Sequence, residues 1–285
     1  MRLLLAQLAP APGNLDANLE RLSAAVRATP SDLAVFPELY LSGYRIGDRM
    51  HRLALRENDP TIVALKKLAR ESKTTIVVGA PLSSRERAGE VHNAALGVDP
   101  AGGVQVQVKR FLPTFGPFEE GVPFTPTDRS VPVPLAGTTV GLEVCYDVFF
   151  PEVSRQLALG GAELLVAISA APVTSRRLFD RLLPARAIEN AMPVVYVNRV
   201  GVEDGVVFGG GSGAWSPRGD PIPSTSVSFA PSAPEESLAT VEVDPGEAAR
   251  WRPFRPVLRD VAGRPTTHEA AGSGSTPGSP PARPL

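Results

Sequence analysis

The segment Val140-Gly-Leu-Glu-Val-Cys145-Tyr-Asp-Val-Phe-Phe-Pro151-Glu constrains the fold of this chain more than any other. The apolar run from Thr138 to Val144 predicts a buried strand. Pro151, followed by Glu152, Val153, Leu157 and Leu159, predicts a helix opened by proline. A strand that breaks at a thiol and restarts as a helix belongs to an α/β unit. It also pushes the thiol out of the sheet and aims free backbone N–H groups at whatever the sulfur attacks. Cys145 is the sole cysteine in 285 residues. It reads either as a nucleophile or as a small core hydrophobe.

Two more segments end on chemically useful side chains. Arg2-Leu-Leu-Leu-Ala-Gln-Leu opens the chain as a strand, and Asp32-Leu-Ala-Val-Phe-Pro-Glu38 follows a helix as a second strand that stops at Pro37. The alternating stretch Val104-Gln-Val-Gln-Val-Lys109 ends by presenting a lysine, shortly before Pro113. Taken singly, Glu38 fits a solvated strand-end carboxylate, Lys109 an edge-strand charge and the prolines simple terminators. Together, three strand ends offer a carboxylate, an ammonium and a thiol.

The motifs Phe36-Pro-Glu-Leu39, Lys109-x-x-Leu-Pro113 and Cys145-Tyr-Asp-x-x-Phe-Pro-Glu152, in this order and at these separations, resemble the nitrilase superfamily of carbon-nitrogen hydrolases. The resemblance covers residues 2 to 262. It implies a four-layer α-β-β-α sandwich, where the strand and helix pattern alone gives only α/β. It also implies Glu38 as general base, Lys109 as the cation supporting a tetrahedral oxyanion, Cys145 as nucleophile, and the backbone N–H of Tyr146 as second oxyanion donor. In the register Lys-x-x-Leu-Pro-x-x-Gly-x-Phe-x-Glu the second site glutamate falls on Glu120, not Glu119, with the role of positioning Lys109 and substrate.

These residue types suit amide hydrolysis. An amide carbonyl is a poor electrophile, so the reaction is eased by acylating a thiol and then hydrolysing the thioester. At reference pKa values, moving a proton from cysteine to glutamate is uphill by about 4 units, or roughly 5.7 kcal/mol. A neighbouring lysine and burial of the glutamate are the expected means of closing that gap.

At 43% hydrophobic residues the chain can bury a large single core. The net charge of −1 gives no general attraction to nucleic acid or anionic membrane, and no apolar run approaches the ~20 residues of a membrane span. One cysteine excludes an intrachain disulfide framework and fits a reducing cytoplasm. With His51, His92 and His268 scattered, no metal-ligand cluster is visible and no cofactor is expected.

Further helices are predicted after Asn14, after Asp59-Pro60 through about Ser72, and over 178–191. Further strands are expected near 74–80, 91–98, 164–169, 194–198, 206–215 and 237–243. Arg186, Glu189, Asn190 and Asn198 match a family segment that buttresses the site. The glycine run from Gly209 to Gly213 lacks the ending of a phosphate loop and is read as close backbone packing. Residues 1–262 are expected to form the hydrolase domain. Residues 263–285, rich in Gly, Ser and Pro, are expected to be a disordered tail.

The substrate is less sharply indicated. Candidate pocket residues are Tyr44, Asp147, Phe149, Ala170 and Ala171, with Arg176 and Arg177 as either carboxylate receivers or a solvated basic pair. Gly43-Tyr44 with Asp48 is similar to the glutaminase domains of NAD synthetases. The sequence ends before any ATP-using domain, so a free-standing amidase acting on a small amide is expected. An N-carbamoyl amide hydrolase, a glutaminase-type ammonia supplier and a catalytically idle scaffold remain as alternatives. Tyr146-Asp147, where nitrile-hydrolysing members carry Trp-Glu, favours amides over nitriles. Trp251, Phe254 and Val257 among Arg250, Arg252 and Arg255 point to a homodimer or larger assembly.

Overall fold

In a computed structural model that describes residues 1–226 and 236–262, the alternating strand and helix signals resolve into two stacked sheets flanked by helices. The first sheet has the order β13-β14-β1-β2-β3-β4-β5. It is built from β1 (Arg2–Gln7), β2 (Leu33–Val35), β3 (Thr75–Ser83), β4 (Val91–Val98), β5 (Val104–Val108), β13 (Ser224–Ser226) and β14 (Ser237–Glu242). The second has the order β12-β9-β8-β7-β6, from β6 (Val133–Leu135), β7 (Thr138–Val144), β8 (Leu164–Ser169), β9 (Val194–Asn198) and β12 (Gly213–Trp215). A separate hairpin joins β10 (Val200–Glu203) to β11 (Val206–Gly209). The helices are α1 (Leu15–Ala28), α2 (Met50–Leu53), α3 (Pro60–Ser72), α4 (Pro151–Leu159), α5 (Arg176–Asn190), α6 (Glu247–Trp251) and α7 (Val257–Ala262).

Side-chain alternation along the strands creates the layers. In β1, Leu3 and Leu5 face the second sheet and join Val35, Val77, Val140, Leu142, Val144, Val166, Ile168 and Val197 in a dry layer between the sheets. Leu4 and Ala6 face the other way, against Leu22 and Val26 of α1 and Ile62, Leu65 and Leu68 of α3. On the far side, Leu165, Ala167 and Tyr196 pack on Val153 and Leu157 of α4 and Phe179 and Leu183 of α5. The order is therefore α-β-β-α. Each fully buried Leu or Val contributes roughly 1.5–3 kcal/mol, so these three apolar layers dominate the stability.

Local signals explain the helix boundaries. The Asn14 side chain accepts from the N–H of Ala17 at the start of α1, and that of Asp59 from Thr61 before Pro60 opens α3. Lys73 closes α3 in the left-handed conformation. The expected strand over 206–215 is two strands. Gly210 and Gly211 take φ values of +56° and +84°, so β11 leaves for the hairpin and β12 joins the edge of the second sheet. Helix α5 begins at Arg176, two residues earlier than expected, because a 3-10 turn over Val173–Ser175 leads into it. Near the C-terminus, Trp251 lies under the Arg218 guanidinium at 5.6 Å, while Phe254 is 81% exposed. The segment 263–285, expected to be a tail, lies outside the described residues. Among the described residues no helix is long and apolar enough to cross a membrane.

Strand direction gathers the chemistry. β2 and β3 are parallel, and two antiparallel steps through β4 return β5 to the same sense. The segments leaving β2 and β5 therefore carry Glu38 and Lys109 to one end of the first sheet. The ends of β7 and β8 meet them there from the second sheet, through a hydrogen bond from Ala170 N–H to Glu38.

Candidate active site

β2 ends at Val35, two residues before the expected stop at Pro37, and the chain turns at Leu39, which takes a φ of +48°. This turn lies against Gly79 of β3, where a Cβ would meet Leu39 N at 2.3 Å and the Cα of Glu38 at 2.5 Å. Glycine is thus required in β3 for the turn bearing Glu38 to sit down on the sheet. Phe36 N–H to Val77 O (2.8 Å) and Gly79 N–H to Pro37 O (3.0 Å) hold it there.

Glu38 is fully buried, and both of its carboxylate oxygens are satisfied. Oε1 accepts from Lys109 Nζ at 2.7 Å and from Asn93 Nδ2 at 2.7 Å, and Oε2 accepts from the Ala170 N–H at 2.7 Å. Lys109, also fully buried, donates a second bond to Glu120 Oε1 at 2.7 Å. The Tyr44 hydroxyl donates to the same Glu120 oxygen, and Asn93 Nδ2 lies 3.3 Å from Glu120 Oε2. Two buried carboxylates around one ammonium leave an excess negative charge. The amide of Asn93, the Tyr44 phenol and a main-chain N–H offset it by pointing donors at the oxygens.

Burial and the neighbouring charges shift the proton affinities of Lys109, Glu120 and Cys145. Burial alone would lower the pKa of Lys109, but Glu120 and Glu38 outweigh it and hold the ammonium above the ordinary lysine value. Burial raises Glu120, and its bonds to Lys109 and Tyr44 oppose that rise. Burial, reinforced by the charge of Glu38, pushes the Cys145 thiol well above its ordinary value; Lys109 acts in the opposite direction without prevailing. The lysine alone therefore does not produce a standing thiolate. The sulfur keeps its proton until a base takes it.

Cys145 itself has a φ of +50°, a region that L-residues rarely adopt, and is half-buried. It opens a 3-10 turn, Cys145–Phe149, that precedes α4, so the strand-to-helix bend contains one tight turn more than the sequence suggests. Asp147 holds this bend. Its carboxylate accepts from the N–H groups of Phe111 (2.9 Å), Arg110 (3.1 Å) and Val144 (3.3 Å), tying the Cys145 turn to the segment after Lys109. Burial raises Asp147 to about 7, with Lys109 and these N–H groups opposing the rise. From behind, Arg186 Nε donates to Val148 O at 2.9 Å and Nη1 to Glu189 at 2.9 Å.

The other sequence-selected residues divide by partner. Tyr44 is engaged with Glu120. Ala170 holds Glu38 through its N–H, and Ala171 pairs by both main-chain groups with Asn198 (2.8 and 3.1 Å). Phe149 packs on Tyr146 and Phe179, and Tyr146 stacks edge-on to Phe115 and Phe150. Arg176 donates to Gly209 O at 3.3 Å, and Arg177 is exposed. A cavity of about 310 Å³ opens beside Tyr44 and Glu120, rimmed by Arg45, Pro117, Glu119, Phe124 and Asp204. Asn93, which joins Glu38 to Glu120, belongs to none of the sequence motifs. The available signal was a polar residue inside the apolar strand Val91–Val98, where every buried polar group needs a partner.

A family model for the carbon-nitrogen hydrolases matches residues 2–253. The chain belongs to the carbon-nitrogen hydrolase family. Similarity to individual proteins agrees with this. The carbon-nitrogen hydrolase is 35% identical over 223 residues to an (R)-stereoselective amidase of a Pseudomonas species, covering 77% of this chain and 78% of the relative. It is 34% identical over 258 residues to the glutamine-dependent NAD(+) synthetase of Thermotoga maritima, covering 88% of this chain but only 43% of that protein. Among solved structures, an amidase from Nesterenkonia sp. AN1 in complex with acrylamide superposes with a TM-score of 0.76. It is 28% identical, over 91% of this chain and 93% of that one. The carbon-nitrogen hydrolase is accordingly an enzyme of the amidase type within the nitrilase superfamily.

Proposed function

We propose that this enzyme hydrolyses a small carboxamide to a carboxylate and ammonia through a thioacyl intermediate on Cys145. The observation that carries this reading is the buried cluster in which Lys109 Nζ lies 2.7 Å from both Glu38 Oε1 and Glu120 Oε1, near enough to the half-buried Cys145 thiol for all three charges to act on it. A buried carboxylate, a lysine kept charged and a thiol kept protonated are the components that base-assisted attack requires.

In the proposed cycle Cys145 Sγ attacks the amide carbon while its proton passes to Glu38. The C=O π electrons move onto oxygen, and that oxyanion is held by Lys109 Nζ and the Tyr146 N–H. Collapse expels the nitrogen, which takes the proton from Glu38 and leaves as ammonia. A water then loses a proton to Glu38 and attacks the thioester carbon. The second tetrahedral species releases the carboxylic acid, and the thiol regains its proton. Glu120 and Tyr44 keep Lys109 in place throughout.

A second reading, a glutaminase-type supplier of ammonia, draws on the long match to the Thermotoga maritima protein, which spans more of this chain than the amidase match does. A panel of short primary amides, glutamine, N-carbamoyl amino acids and nitriles separates the readings. The small-amide reading expects ammonia without carbon dioxide and little discrimination in favour of glutamine. Carbon dioxide released with ammonia from carbamoyl compounds alone would replace it with the carbamoyl reading.

A further inference from the structure

Glu203, at the end of β10, is 4% exposed although it belongs to a short surface hairpin. One of its oxygens pairs with Arg199 Nη1, and Arg199 is itself 1% exposed with its guanidinium 4.0 Å over the ring of Phe208. The other oxygen accepts two main-chain bonds from a distant segment, the N–H of Tyr44 at 2.9 Å and that of Arg45 at 2.8 Å. Burying an ion pair is costly unless its geometry is well satisfied, so a pair that adds only packing would do as well with apolar side chains. Here the second carboxylate oxygen fixes the peptide that carries Tyr44, whose hydroxyl donates to Glu120, the partner of Lys109.

We propose that Glu203, held by Arg199, is a positioning residue for the catalytic cluster: it clamps the Tyr44–Arg45 backbone so that the Tyr44 hydroxyl orients Glu120 and, through it, Lys109. The proposal rests on the assignment of Cys145, Glu38 and Lys109 made above. The same pair is tied to the other half of the site. Arg199 N–H donates to Ser169 O at 3.1 Å, and the next residue, Ala170, donates to Glu38. Outside the core, Arg45 continues the clasp by bonding Asp204 at 2.7 Å and the carbonyl of Pro117.

The test uses the reactivity of the single thiol, so it needs no knowledge of the substrate. Iodoacetamide alkylates Cys145 when sulfur forms a bond to the methylene carbon as iodide leaves and the thiol proton passes to Glu38. Intact mass reports the rate as a function of pH. Two double variants remove the buried charge without leaving it unpaired. R199M/E203M lacks any acceptor for the two N–H groups, and R199M/E203Q restores one. A misplacement on the ångström scale can cost up to ~100-fold, so R199M/E203M is expected to alkylate at least ~10-fold more slowly near neutral pH, with a profile displaced to higher pH. R199M/E203Q is expected to return to within about threefold of wild type, since one amide oxygen can accept both N–H groups.

Y44F, which leaves the pair intact and removes one hydroxyl, must reproduce the slow, displaced profile. A wild-type profile for Y44F overturns the proposal whether or not the double variants fold. Equal impairment of the two double variants, both folded by circular dichroism, also overturns it, because that pattern marks general packing. If wild-type Cys145 itself behaved as an ordinary peptide thiol, the catalytic assignment would fall and the proposal with it.

Discussion

Lys109 Nζ stands 2.7 Å from Glu38 Oε1 with both side chains fully removed from water. A buried ammonium is tolerated only when opposite charge sits against it. Here it is shared with Glu120 at the same distance. Lys109→Met tests this pairing, since methionine fills similar space without the charge. Loss of the oxyanion donor proposed for Lys109 predicts a fall in acylation of at least ~100-fold. Leaving two buried carboxylates unpaired predicts a loss of about 3–5 kcal/mol in stability. Stopped-time ammonia release and urea unfolding measure the two effects, and a stable, active Lys109→Met enzyme would contradict both.

Asn93 bonds Glu38 and Glu120 with one amide nitrogen, so it sets the spacing of the two acids. Asn93→Ala is expected to lower turnover by at least ~10-fold through misplacement. Stability should fall by about 1–3 kcal/mol, because buried oxygens lose donors. Asn93→Asp should be worse in both respects, as it brings a third carboxylate into the cluster. Thermal melts and amide turnover on the two variants check the order Asn, Ala, Asp, and the reverse order for the last two would show that charge crowding is not the constraint.

Two residues before Cys145, Glu143 is wholly buried, accepts from Ser154 Oγ at 2.5 Å and is raised by burial to about 8. A carboxyl whose folded pKa is raised binds its proton more tightly when folded. Its favourable contribution is full below the unfolded value of ~4.3 and is lost as pH rises through about 8. Asp147, raised to about 7, adds to the same trend. Glu143→Gln should therefore gain stability relative to wild type at pH 9, on the order of a few kcal/mol, and gain little at pH 4.5. Melting temperatures of the two proteins at these pH values decide the matter. A difference that does not change with pH would mean Glu143 does not titrate in this range.

Amides are expected to be preferred over nitriles. The donor-rich end of an amide, its NH2, can be accepted by carboxylates of the site, whereas a nitrile offers no donor to satisfy them. The expected kcat/KM for the best primary amide exceeds that of its matching nitrile by at least ~100-fold, about 2.7 kcal/mol in transition-state terms. Equal rates for a matched pair would remove the significance attached to Tyr146-Asp147 while leaving the Glu38, Lys109 and Cys145 assignments in place.

The sequence displays these groups unevenly, for a physical reason. Glu38, Lys109 and Cys145 each follow a strand that alternation or apolarity marks out, so local pattern placed them at strand ends. The layer structure was not legible in the pattern itself: Leu3, Leu4, Leu5 and Ala6 form one continuous apolar run whose two faces look alike in sequence, and the four layers came from the family resemblance alone. Partners were not legible. The Ala170 N–H reaches Glu38 across 132 residues of chain and Glu203 reaches Tyr44 across 159, and neither contact leaves a periodic trace. Gly79 and the split at Gly210-Gly211 were visible only as glycines. The close approach of the Glu38 turn and the departure of β11 from β12 are tertiary facts.

The central claim is that hydrolysis passes through an acyl group carried by Cys145. Rapid acid quench of the enzyme with a short primary amide, followed by intact-mass measurement, tests it directly. A transient mass increase equal to the acyl group is expected in the wild type, none in Cys145→Ala, and no ammonia release from that variant beyond background. Turnover by Cys145→Ala within tenfold of wild type, or hydrolysis with no acylated species at any quench time in a wild type whose deacylation has been slowed by low temperature, would contradict it.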